Sequence, residues 1–145
     1  MKDPIINEIP HIKDLLIIEL DTFYDFRGYN FSGYDKVKYA ELHPFFRENV
    51  FSIDSFSSST KGVLRGFHGD TKTHKLIQVL HGRIQMAVVD KRDGSPTKNN
   101  MLEVFFDARC PKQILVPAGC VNAHLCLSKN CLFSYKLSHP YVEQK

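Results

Sequence analysis

Apolar and polar residues alternate along most of this chain in short runs, and almost nowhere do they recur at the three-to-four spacing of a helix. HIKDLLIIEL at 11–20 holds an apolar block that fits a strand as well as a turn or two of helix. The pattern predicts strands near 15–20, 28–32, 49–56, 62–68, 74–80, 83–90, 101–106, 113–116, 121–127 and 131–137, with almost no helix. Turn residues separate them: HG at 81–82, RDGSPT at 92–97 and PAG at 117–119 each read as a hairpin. Many short, evenly spaced strands predict an all-β sandwich or barrel of the jelly-roll kind, a single domain over 1–145. The serine run at 57–59 reads as part of a strand edge or loop.

Within those strands the alternation sorts side chains onto faces. Between Val121 and Leu127, Asn122, His124 and Cys126 share one face, while Val121, Ala123, Leu125 and Leu127 share the other. Lys75, Ile77 and Val79 lie together on one strand, and Cys131, Phe133 and Tyr135 on another. A polar stripe crossing an otherwise apolar interior is what a small-ligand cavity requires.

Charge narrows the choice of ligand. With 19 basic and 16 acidic residues spread along the chain, the net charge of +3 is too mild to imply nucleic acid and suits an anionic small molecule. A charge or a proline interrupts each apolar run of the first twenty residues, so neither a signal peptide nor a membrane span is expected, and the cytoplasm is the expected location. Cys110, Cys120, Cys126 and Cys131 include no C-x-x-C spacing, which argues against zinc or thiol redox chemistry and for small core residues on strands.

The chemistry concentrates in KGVLRGFHGDTKTHKL, residues 61–76. Lys75 follows His68 after a GDTKT turn, so the two are expected on neighbouring strands with both side chains inward. A neutral imidazole beside an ammonium can take a proton from carbon next to a carbonyl while the cation stabilises the enolate oxygen. A tyrosine hydroxyl on the opposite face would complete an inversion. A metal site fits less well: His68 and His74 stand six apart, with Lys75 where a ligand would be wanted. Arg27 and Arg65 carry guanidinium forks that match a diphosphate, or otherwise form rim salt bridges.

Taken in order, DFRGYN (25–30), SSSTKGVLRGFHGD (57–70), HKLIQVLHGRIQMAVVDKRDGSPT (74–97), ILVPAGCVNAHLCLS (114–128) and LFSYKLSHPY (132–141) resemble the dTDP-4-dehydrorhamnose 3,5-epimerase family. The resemblance implies a cupin-type double-stranded β-helix, a homodimer, no metal or organic cofactor, and a nucleotide-diphosphate 4-keto sugar as substrate. It also implies the roles: His68 as base, Lys75 as the stabiliser of the carbon-4 enolate, and Tyr135 as acid. Arg27 and Arg65 then contact diphosphate and sugar, and Ser57, Asp70, Asn122 and His124 complete the expected substrate-binding set.

Several positions depart from the family's pattern. His68-Gly69-Asp70 stands for a common His-Tyr-Gln, Val121-Asn122-Ala123 for Ala-His-Gly, and Ile53 and Ser55 for a nucleotide-contacting Gln and Asn. The carboxylate that orients the base in the family falls near Ser138 and His139, where this chain has no acid. HGD-x-x-T-x-KL followed by Asn-x-His is similar to a shorter subgroup acting on GDP-4-keto-6-deoxy-heptoses in capsule and lipopolysaccharide pathways. The expected activity is epimerisation at carbon 3, carbon 5 or both; the alternatives are a 3,4-ketoisomerase of the same fold and a non-catalytic nucleotide-sugar binding module. The apolar run at 15–20 is the candidate for a strand exchanged between subunits.

Overall fold

The fold was read from a computed structural model, which describes residues 2–140. Two antiparallel sheets face each other. The larger has six strands: β1 (Ile5–Glu8), β2 (Leu16–Glu19), β10 (Lys112–Val116), β7 (Lys75–His81), β12 (Asn130–Leu137) and β5 (Ile53–Thr60), in that order across the sheet. The smaller has four, in the order β6 (Leu64–His68), β11 (Cys120–Cys126), β8 (Arg83–Asp90) and β9 (Met101–Asp107). A separate hairpin of β3 (Phe23–Asp25) and β4 (Gly28–Asn30) stands apart from both.

Alternation explains the packing between the sheets. Ile77 and Val79 of β7 and Phe133 of β12 point inward to meet Ile84, Met86 and Val88 of β8, forming the main core. The outer face of the larger sheet is covered too. Tyr39 of α1 (Lys36–Leu42), Phe46 of α2 (Pro44–Glu48) and Phe51 pack on Leu16, Ile18, Leu76 and Leu115. Buried on both faces, β7 therefore reads KLIQVL rather than as an alternating strand.

The two helices are a departure from the sequence expectation. They span seven and five residues, too short to show a helical stripe, and their signals are caps instead. The Asp35 side chain accepts from Lys38 N, and His43 Nδ1 accepts from Phe45 N with Pro44 at the first helical position. Two of the three expected hairpins are corrected as well. The turns at 81–82 and 117–119 carry the chain from one sheet to the other, whereas 92–97 does join the paired strands β8 and β9. Turn residues specify a reversal of direction but not the strand that will be the partner. Within one chain the segment 15–20 is an inner strand of the larger sheet: β2 is paired on one side with β1 and on the other with β10. Cys120, Cys126 and Cys131 are buried on strands as expected, but Cys110 is exposed in the turn after β9.

Candidate active site

Where the two sheets part, a cavity of about 470 Å³ opens. The larger sheet lines it with Ser55 and Ser57 of β5, Lys75 and Ile77 of β7, and Phe133, Tyr135 and Leu137 of β12. Arg65 and His68 of β6 and Asn122 and His124 of β11 face them from the smaller sheet. Glycine permits this wall: β6 lies so close to β11 that a Cβ on Gly66 would stand 2.6 Å from Ala123 Cα. The register pairs Asn122 with His68 and His124 with Arg65, and its irregularity between them brings all four side chains into one cavity.

His68 and Lys75 do meet, but not on neighbouring strands. Their strands belong to opposite sheets, so the pair spans the cavity. Lys75 is buried, and its ammonium donates to the carbonyl of His68 at 2.9 Å and to Asn122 Oδ1 at 2.5 Å. Burial pulls its pKa down to about 8, with the fields of Asp70 and Cys120 opposing that fall. His68 is exposed, and among the described residues no side chain hydrogen-bonds its imidazole. Ser138 does not supply the missing orienting group: its hydroxyl accepts from His74 N and lies 2.9 Å from His139 Nδ1.

Arg65 is held from behind, its Nε donating to Ser59 Oγ at 2.8 Å and an Nη to the Ser58 carbonyl at 3.0 Å. The serine run thus lies on an edge strand and braces a cation, while Ser57 lines the cavity itself. His124 stacks on Phe133 with ring centroids 3.9 Å apart and planes 12° from parallel. Among the described residues its buried Nε2 has no hydrogen-bond partner. Burial first, then the charges of Arg65 and His68, lower its pKa to about 4, so the ring is neutral near pH 7.

Two expected ligands stand elsewhere. Arg27 sits on the exposed β3–β4 hairpin in a bidentate pair with Asp25 and does not line the cavity. Asp70 is turned into its own loop, accepting from Lys72 N, Thr73 N and Thr73 Oγ1, and is likewise absent from the lining. An aspartate that begins a turn is taken up by the backbone two and three residues on, which is the ordinary fate of such a residue. His74 also points away, accepting from Ala118 N and packing on Phe45. Ser55, Ile77 and Phe133 also line the cavity, although the sequence marked Ser55 only as a departure from the family and Ile77 and Phe133 only as members of a strand face; Leu137, two residues from Tyr135, was not named.

The state of His124 yields a measurable consequence. A histidine whose folded pKa is depressed contributes stability above its unfolded pKa of about 6.5 that is lost as pH falls towards 4, here about 3 kcal/mol. His124→Phe keeps the ring stack and removes the proton site. Urea midpoints from pH 7 to pH 4 should therefore fall less steeply in the variant than in the wild type; parallel curves would show that His124 is not buried in its neutral form.

Two facing antiparallel sheets with a cavity between them make the jelly-roll architecture of a cupin fold. A sequence model of the dTDP-4-dehydrorhamnose 3,5-epimerase family matches residues 10–145, and the chain belongs to that family. It is 34% identical over 133 residues to the dTDP-4-dehydrorhamnose 3,5-epimerase of Salmonella typhimurium, an alignment covering 90% of this chain and 72% of that protein. The crystal structure of the dTDP-4-dehydrorhamnose 3,5-epimerase of Elizabethkingia anophelis NUHP1 superimposes with a TM-score of 0.85 at 32% identity, covering 98% of this chain and 78% of the other. The dTDP-6-deoxy-D-glucose-3,5-epimerase of Legionella pneumophila Philadelphia 1, solved in complex with dTDP-4-keto-L-rhamnose, also gives 0.85 at 32% identity, over 97% of this chain and 73% of its own. The chain is thus a sugar epimerase, an isomerase of the cupin fold.

Proposed function

We propose that this chain inverts carbon 3, carbon 5 or both in a nucleotide-linked 4-keto-6-deoxy sugar, as a step of surface-carbohydrate biosynthesis. The observation that carries the reading is the buried Lys75 ammonium, bonded to the backbone of His68 in a cavity that Tyr135 also lines. The His68 imidazole removes the proton next to the carbon-4 ketone, and the C–H electron pair passes into the ring to leave the charge on oxygen 4. Lys75 donates to that oxygen from a buried, hydrogen-bonded position, and a preorganised donor of this kind stabilises it more than solvent would. The Tyr135 hydroxyl returns a proton to the opposite face of the carbon, and exchange with water restores the imidazole and the phenol.

Arg65, braced by Ser58 and Ser59, is the anion contact within the cavity, and Ser57 and His124 contact the bound sugar nucleotide. Arg27 serves in this reading only if the β3–β4 hairpin reaches a second subunit. Exposed Phe23, Tyr24, Phe26 and Tyr29 on and beside that hairpin support a homodimer. A cytoplasmic location goes with the reading, since thiols such as Cys120, Cys126 and Cys131 stay reduced there.

Proton NMR in deuterium oxide tests the proposal, with GDP- and dTDP-linked 4-keto-6-deoxy sugars offered to the purified protein. Loss of the carbon-3 signal, the carbon-5 signal or both is expected, together with an inverted product; migration of the keto group instead would mark a ketoisomerase, and silence with measurable binding a non-catalytic module. Tyr135→Phe should bind substrate and still exchange the first proton, with exchange exceeding inversion by about tenfold or more. Normal inversion by this variant would remove tyrosine from the acid role.

A further inference from the structure

We infer that Asn122 is a positioning residue for the reaction, acting through Lys75: its amide oxygen aims the ammonium at the reacting carbonyl while leaving it a full positive charge. The inference rests on the epimerase reading above and assigns Asn122 a task other than direct contact with substrate.

An ammonium has three N–H donors and no acceptor, so the group facing it on Asn122 is the amide oxygen. The bond to Asn122 Oδ1 at 2.5 Å and the bond to the His68 carbonyl at 2.9 Å engage two of the three donors. In a tetrahedral ammonium, two fixed N–H directions determine the third. The remaining donor is therefore set by the protein before substrate arrives, which is what oxyanion stabilisation needs. The His68 carbonyl alone fixes one N–H but leaves the flexible four-carbon stem free to tilt the Cε–Nζ axis about that bond, and the second anchor on Asn122 removes that freedom.

Asn122 is itself well placed to direct its neighbour. It lies mid-strand in β11, paired with His68 of β6 on one side and Val88 of β8 on the other, and is 5% exposed. Lys75 arrives from the other sheet, so the bond also ties the two walls of the cavity together. A neutral amide suits this position. A carboxylate there would form an ion pair with Lys75 and draw its charge away from the substrate oxygen. Among the described residues, Asp70 from the turn after β6 and Cys120 from β11 act on the ammonium, and His68, Tyr135, Arg65 and His124 line the same cavity from β6, β12 and β11. Of these, Asp70 and Cys120 favour the charged form, whereas burial disfavours it.

The test combines kinetics with a titration that does not depend on activity. Asn122→Ala should lower kcat by about ten- to a hundredfold with KM changed less than about threefold, since the donor it aims acts in the transition state. In the same variant the Lys75 side chain, followed by carbon-13 NMR at Cε, should titrate at lower pH than in the wild type, because an acceptor that favours the ammonium is gone. Asn122→Asp should move that midpoint upward and extend the alkaline limb of kcat, yet recover little of the rate. A Lys75 midpoint that is the same in wild type and both variants overturns the inference, as does an Asn122→Ala enzyme with normal kcat. Either result leaves the epimerase reading intact, whereas a wild type that exchanges no ring proton would sink that reading, and the Lys75 titration would still decide whether Asn122 governs the ammonium.

Discussion

Lys75→Met should reduce turnover by about a hundred- to a thousandfold, the usual range for removing an oxyanion donor, and should at the same time make the protein more stable near neutral pH. The second half follows from the sign of the pKa shift. The folded pKa of about 8 lies below the ordinary lysine value of 10.5, so between those limits the unfolded chain binds more protons and stability rises with pH. Below pH 8 the whole penalty is present, about 3 kcal/mol by linkage. Methionine fills a similar volume without charge. It leaves Asn122 Oδ1 and the His68 carbonyl without a donor, at roughly 1 kcal/mol each once cavity water reaches them. The net expectation is a gain of about 1 kcal/mol, which is roughly 2–4 °C in Tm for a chain of this size. A variant with full turnover would show that the enolate is stabilised elsewhere. Lost turnover with a lower Tm would mark Lys75 as a structural residue. The wild type should also gain stability from pH 8 to 10.5 where the variant stays flat.

That the reacting lysine is held at the expense of stability bears on why so much of the site could be read from the sequence. A histidine at a strand end and a lysine after a short turn are both out of place in a hydrophobic alternation, and Lys75 interrupts what is otherwise a fully apolar inward face with Ile77 and Val79. Asn122, His124 and Tyr135 declare themselves in the same way, as polar members of strand faces, whereas Arg65 was marked by its charge and by the family resemblance. Period-two alternation says which side of a strand a residue occupies, but nothing about which sheet the strand joins. His68 and Lys75 were therefore expected side by side, when their strands face each other. The hairpins at 81–82 and 117–119 failed for the same reason: tight turns between strands of opposite sheets look like tight turns within one. Asp70 and Arg27 show the other limit. Charge type suggests a ligand, but only geometry reveals that Asp70 is already engaged by Thr73 and Arg27 by Asp25.

Asp90→Ala should cost about 3–5 kcal/mol of folding stability, the range for removing one partner of a buried charged pair. Asp90 has no exposure at all, yet its carboxylate is fully engaged. Oδ1 accepts from the backbone and Nε of Arg92 at 3.0 and 2.9 Å, and Oδ2 from an Arg92 Nη, Ser95 Oγ and Thr97 Oγ1 at 3.0, 2.7 and 2.6 Å. Burial alone would raise its pKa, but the bonds from Arg92, Ser95 and Thr97 outweigh it and hold the carboxyl well below the usual carboxylate range. Stability from a depressed carboxylate is fully present above its unfolded pKa of about 3.9 and is lost as pH falls through the folded value. Urea midpoints of wild type and Asp90→Asn, which mimics the protonated acid, should therefore differ at pH 7 and converge only in strong acid. A constant gap at every pH would assign the loss to packing instead of charge. The damage should also reach the cavity. Arg92 bridges to Asp14 and the Lys13 carbonyl and lies across Gly119, where a side chain would collide with it. Gly119 in turn donates to the Asp70 carbonyl and accepts from Lys91 N, so this cluster holds together the turn before β11 and the loop between His68 and Lys75. Loosening it displaces both walls of the site at once. A rise in KM accompanying the fall in Tm is the expected signature, and an unchanged KM at a temperature where the variant is still folded would separate the cluster from the cavity.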